Sequence, residues 1–295
     1  MKRIALLILV AALPAYGADD CHVLCIAKRE AVRYVRDAKS LATAPLHWDR
    51  KEWTRFGEGS AAVLALYATD RQTSDYVQRH RSSSTDQFAK DITPFGGHRA
   101  LQVSVLMIAA GAGIHDTTLR DAGRDSLESE LLAAGVVTPL MKFVIGRARP
   151  NRNEGSHSFH PFDKKYDSFP SGHATNAFSF ATAVAGHYDG WVVPTIVYTI
   201  ATGVAVSRVN DHVHFPSDVL AGALIGRGIA KGILARHTTA KVSWQAIPMF
   251  DRRSVGFIIH VSPRVGGAAG DAAGVRRGDG LAGVTYPQMT QINGD

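Results

Sequence analysis

Cysteine is almost absent from this chain: 295 residues contain two, Cys21 and Cys25. Two thiols are too few for a cysteine-only zinc site and exclude a disulfide-stapled scaffold. Their four-residue helical spacing leaves one disulfide or two free thiols open. Long charge-free runs are also scarce. Residues 190–207 give 18 uncharged positions, interrupted by Pro194 and three threonines, and residues 100–115 give 16, ending in His115. A spanning helix needs about 20 apolar residues. The expectation is therefore a soluble helical domain, with two or three short or tilted spans as the alternative. No strand-like alternation precedes Lys241, so the body is expected to be all-α. Nor is there an arginine-rich recognition helix, a zinc-finger spacing or an interleaved basic and aromatic stripe, which argues against nucleic acid as a partner.

What the chain does have is basic charge, 33 Lys and Arg against 26 Asp and Glu, for a net +7. That balance suits anionic substrates or peripheral contact with an anionic membrane, although a solvated basic surface is the simpler reading of charge alone. Lys2 and Arg3 precede an apolar run from Ile4 to Leu13, then Pro14 and the small-residue pattern Ala15-Tyr16-Gly17. This is the layout of a signal peptide over residues 1–18, and it implies export, most naturally to a bacterial periplasm.

Helices are expected near 20–38, 59–70, 99–114, 125–147, 172–187, 191–207 and 216–235, where Ala, Leu and Val dominate and Gly or Pro stands near several ends. Residues 47–56, with Trp48, Trp53 and Phe56, read as a partly buried capping segment. The chain divides into an N-terminal helical segment (19–90), a core (91–240) and a tail (241–295). Two strand-like runs open the tail, 242–250 and 255–261, and a Gly/Ala-rich stretch closes it.

Three motifs in the core carry chemistry. In Lys142-Phe-Val-Ile-Gly-Arg-Ala-Arg149-Pro150, two cations seven residues apart lie about two helical turns from each other and can share a face, while Pro150 pushes Arg149 toward an extended conformation at the helix end, so both suit one phosphate. Taken singly, such cations are usually solvated. In Phe169-Pro170-Ser171-Gly172-His173, Pro170 fits a first helical turn, which would leave the amides of Ser171 and Gly172 at an anion-binding helix N-terminus. His173 stands beside them as a proton donor. An ordinary turn before a helix reads the same way. In Ser207-Arg208-Val-Asn-Asp-His212-Val-His214-Phe-Pro216-Ser-Asp218, Asp218 is spaced to orient one ring nitrogen of His214, or merely to favour the N-terminus of its own helix. His212 is a rival to His214 on composition alone.

Together the motifs match Lys-x6-Arg-Pro, Pro-Ser-Gly-His and Ser-Arg-x5-His-x3-Asp in order. The sequence thus resembles the superfamily of type 2 phosphatidic acid phosphatases, bacterial acid phosphatases and vanadium haloperoxidases over roughly residues 90–235. The resemblance implies an all-α helical bundle with a short β-like tail, and hydrolysis of phosphate monoesters, soluble or lipid, without a metal. His214 would be the nucleophile, Asp218 its orienting partner and His173 the acid and then the base. Lys142, Arg149, Ser171, Gly172 and Arg208 would hold the phosphate. No cofactor is implied. Vanadate is expected to inhibit, or to serve as cofactor in the haloperoxidase alternative, in which His214 ligates it. Two further readings are a non-catalytic phosphate-binding protein and a Ser171/His173/Asp218 hydrolase triad. The intervening segment 151–168, with His157, His160, Asp163, Lys164 and Lys165, is expected to border the pocket, a metal site there being the lesser reading.

Overall fold

In the computed structural model the described residues are 20–237, 241–251 and 254–264, with side chains described from 28 to 237. The expected signal peptide and most of the Gly/Ala-rich stretch lie outside the described residues, and the side chains of Cys21 and Cys25 outside the described side chains.

The body is a bundle of α-helices: α1 (Asp20–Thr43), α2 (Arg50–Arg79), α3 (Ser83–Ile92), α4 (His98–Gly113), α5 (Thr117–Leu132), α6 (Thr138–Ile145), α7 (Gly172–His187), α8 (Val192–Asn210) and α9 (Pro216–Arg236). Two antiparallel strands follow, β1 (Lys241–Asp251) and β2 (Ser254–Arg264), with Lys241 opposite Arg264. α2 is far longer than the stretch 59–70. Asp49 and Glu52 start it early with a reciprocal capping box, at 2.8 and 2.9 Å between side-chain oxygens and backbone N–H groups. α3 is unanticipated; its capping box, from Ser82 and Thr85, follows a polar run that reads as a loop. The helix expected over 125–147 is broken in two by a π-helical stretch, Ala133–Val137.

The centre of the bundle is α7, whose Ala174, Ala177, Ala181 and Ala183 are buried. These small side chains let α9 approach almost to backbone contact. A Cβ on Gly226 would meet the Thr175 carbonyl oxygen at 2.2 Å, and one on Gly222 would meet that of Ser171 at 2.5 Å. Packing here gains from close approach rather than from large apolar groups. The consequence is functional: the start of α7 is pinned to the start of α9, where Ser171 N–H donates to Asp218 O at 2.9 Å. Among the described residues one helix, Val192–Asn210, is long and apolar enough to cross a membrane.

Candidate active site

α6 carries Lys142 and stops at Ile145 because Gly146 takes a left-handed conformation, φ +59°. A Cβ there would lie 1.8 Å from the His160 carbonyl oxygen, so only glycine fits. Arg149 is therefore in extended backbone beyond the helix (φ −77°, ψ 151°), and Lys142 and Arg149 do not share one helical face. They converge all the same, through Asp167. Arg149 donates twice to its carboxylate at 2.7 Å, while Lys142 Nζ donates to its carbonyl oxygen and lies 3.8 Å from Oδ2. Burial depresses the Lys142 pKa to about 8, although Asp167 pulls the other way. Asp167 itself is held below the usual carboxylate range: burial opposes this, but Arg149 and Lys142 outweigh it.

Ser171 is the N-cap of α7, so Pro170 stands just outside the helix rather than in its first turn, and the Phe169–Pro170 peptide is cis. The Ser171 amide, expected to face an anion, is committed to Asp218 O. What Ser171 offers is its hydroxyl, buried and without a hydrogen-bond partner. Gly172 lies against the Lys142 side chain, its notional Cβ 3.9 Å from Cε. His173 follows, partly buried, its pKa lowered to about 4 by burial first and then by the charges of Arg208, His214, Lys142 and Arg149.

Arg208, in the last turn of α8, donates to Thr93 Oγ1 at 2.8 Å and pairs with Asp211, while its Nε is buried and unpartnered. His214 is 3% exposed in the loop before α9. Its Nδ1 lies 3.8 Å from Asp218 Oδ2, an ion-pair separation rather than a hydrogen bond, and it too has no hydrogen-bond partner. Burial lowers the pKa of His214 and Asp218 opposes that shift. His212 is turned elsewhere. The charges that act on it are Asp75 and Arg81, while those that act on His214 include Lys142 and Arg149.

Asp218 is fully buried and held by groups the motifs do not name. Arg147 Nη1 donates to Oδ1 at 2.6 Å, and Ser168 Oγ and Phe215 N–H donate to Oδ2 at 2.6 and 2.8 Å. Arg147 also donates to Asp70 Oδ2 at 2.7 Å and to the Ser156 carbonyl, and its guanidinium lies over the rings of Phe215 and Tyr67, 4.4 and 4.9 Å from their centroids. With Ser171 Oγ free of His173 and Asp218 so occupied, a serine hydrolase triad does not assemble. In segment 151–168, His157 bonds Tyr67 and His160 stacks on Tyr166, so no metal cluster forms there among the described residues.

All eight predicted site residues fall within residues 127–241, which match the family model described as PAP2 superfamily. Residues 127–241 carry a PAP2 superfamily domain. Among its relatives, the lipid A 1-phosphatase of Rhizobium etli is 38% identical over 104 residues, 34% of this chain and 44% of that protein. A probable lipid phosphate phosphatase of Arabidopsis thaliana is 32% identical over 130 residues, 34% of this chain and 42% of that protein. The chain thus spans less than half the length of these relatives. A solved structure, Aquifex aeolicus LpxE, is 22% identical with a TM-score of 0.45, over 56% of this chain and 94% of that one.

Proposed function

We propose that the PAP2 domain hydrolyses the phosphate monoester of a lipid, through a phosphohistidine at His214, in an exported protein that meets its substrate at a membrane surface. The observation that carries this reading is a pair of buried atoms. Ser171 Oγ and Arg208 Nε have no hydrogen-bond partners, and both belong to the motif residues. Buried polar groups are normally satisfied, and a site built to take up a polar ligand is one place where they are not. Lys142 and Arg149 supply fixed positive charge at the same place. The lipid class follows from the relatives, whose names are lipid A 1-phosphatase and lipid phosphate phosphatase; nothing favours a soluble substrate over it.

In this reading His214 Nδ1 faces Asp218, so the Nε2 lone pair attacks phosphorus. The bond from phosphorus to the lipid oxygen breaks, and His173 gives that oxygen its proton. His173 then takes a proton from water, whose oxygen attacks the phosphohistidine and releases inorganic phosphate. Lys142, Arg149 and Arg208 neutralise charge that spreads over the equatorial oxygens. Vanadate should inhibit by occupying the same geometry.

The test is phosphate release from a detergent-dispersed lipid phosphate and from a soluble monoester, in EDTA, with alkaline trapping of labelled protein. Wild type should turn over and trap label, and His214→Ala should do neither. Turnover that survives in His214→Ala would remove the phosphohistidine, and silence on both substrates would remove the phosphatase.

A further inference from the structure

The far end of α7 holds a second polar centre, which phosphate chemistry does not use. α7 runs 16 residues from Gly172 to His187, so this centre lies about 22 Å along the helix from the catalytic end. It joins Arg33 and Asp37 of α1, Asp125 and Glu128 of α5, His187 at the end of α7 and His237 just after α9. Asp37, Asp125 and Glu128 are buried, at 2%, 3% and 0% exposure.

We propose that Asp37, Glu128 and His237 form a structural site for one divalent cation of the zinc class. One ligand-capable atom from each lies within 4.8 Å of the other two. One imidazole and two carboxylates make a donor set that zinc accepts, with water in a fourth position.

The surroundings are those of a metal site's outer layer. His237 Nδ1 bonds Asp125 Oδ1 at 2.8 Å, which fixes the ring and turns Nε2 toward Asp37 Oδ2, 3.1 Å away. Ligating histidines are oriented in this way by a carboxylate on the other ring nitrogen. Asp125 is itself steadied by His187 Nε2 at 2.9 Å. Arg33 donates from Nε and Nη2 to Glu128 Oε2, at 3.0 and 2.7 Å. That leaves Glu128 Oε1, which is fully buried and has no hydrogen-bond partner. A carboxylate oxygen in that state is the independent sign of a ligand, because ion pairing alone would have used it.

Charge agrees with the donor set. Three carboxylates face Arg33, the exposed Arg36 at 3.9 Å from Asp37, the nearby charge of Arg124, and the imidazoles of His187 and His237. The ion would tie α1 to α5 and to the end of α9. Its role is to brace the bundle, and catalysis 22 Å away proceeds without it.

The test uses full-length protein, stripped with a chelator and desalted, then titrated with zinc chloride by calorimetry and followed by thermal melting. One equivalent should bind, and the melting temperature should rise by about 5 °C at saturating zinc. Glu128→Gln and Asp37→Asn should each lose both effects and keep their turnover of phosphate monoester. Absence of zinc uptake by the wild type overturns the proposal. So does uptake undiminished in both variants, which would assign the zinc to other histidines such as His173 and His214. If Glu128→Gln fails to fold, Asp37→Asn and the wild-type stoichiometry decide. Because the readouts are metal and melting, the test stands apart from the phosphatase reading.

Discussion

Arg147 Nη1 sits 2.6 Å from Asp218 Oδ1, with the two side chains 1% and 0% exposed. This guanidinium, rather than His214 at 3.8 Å, is the closest charge to the Asp218 carboxylate. It also spans to Asp70 on α2, so the N-terminal helical segment reaches into the site. Replacing Arg147 by Met would leave two buried carboxylates unpaired, at a cost of about 3–5 kcal/mol. Denaturant unfolding should show that loss. Arg147→Lys should fall between Met and wild type, since one ammonium cannot satisfy Asp70, Ser217, Asp218 and Ser156 together. A Met variant as stable as wild type would show that the ion pair stabilises nothing.

Asp167 holds both cations of the first motif, Arg149 through a two-pronged contact. If these cations bind phosphate as proposed, an incoming phosphate must take Arg149 from it, which makes Asp167 a competitor within the site. Asp167→Asn should therefore tighten inhibition by inorganic phosphate and vanadate, by about fivefold, the upper range of a half-exposed ion pair. Inhibition constants measured on both proteins check the direction. Weaker inhibition in the variant would make Asp167 a brace for Arg149 rather than a rival of the ligand.

The candidate site was legible in the sequence because each motif contains its own spacing and punctuation. Pro150, Pro170 and Pro216 mark element boundaries, and His173, His214 and Asp218 stand within a few residues of them. What could not be read is what depends on distant pairing. Arg147 lies inside the first motif but looks like one more surface cation, because its partners Asp70 and Asp218 are 77 and 71 residues away. Asp167 sits in an irregular segment that has no period to read. The Asp37, Glu128 and His237 cluster is spread across the chain and shows no ligand spacing at all. Lys142 and Arg149 share no helical face for a local reason: Gly146 ends α6 in a left-handed turn, and nothing in its own position distinguishes it from a helical glycine.

Gly146 itself supports a prediction. A side chain there is strained by φ +59° and collides with the His160 backbone. Gly146→Ala should cost more than about 1 kcal/mol, seen as a lower melting temperature. It should also reduce kcat/KM, because the turn delivers Arg149 and Arg147 to their partners. An alanine variant with wild-type melting and turnover would show that the turn tolerates a shift of the 160 segment.

The pH dependence follows from the lowered pKa values of His173 and Lys142. In the proposed mechanism His173 must carry a proton to release the lipid oxygen, and its free-site pKa is about 4. The protonated fraction, and with it kcat/KM, should fall as pH rises above about 4. Lys142, with a pKa of about 8, should add a further loss on the alkaline side as its charge disappears. A bound phosphate brings negative charge next to His173 and raises its pKa, so the kcat profile should extend to higher pH than the kcat/KM profile. The same shift has the opposite sign for stability. Below the unfolded histidine value of about 6.5 the unfolded chain takes up a proton that the folded His173 refuses, so stability declines from there toward pH 4. Parallel rate and melting profiles test both limbs. A kcat/KM that rises between pH 4 and 7 would mean that loss of a proton, from the His214 nucleophile or from His173 acting first as a base, governs the profile, and His214→Ala with an activated phosphoester would separate the two.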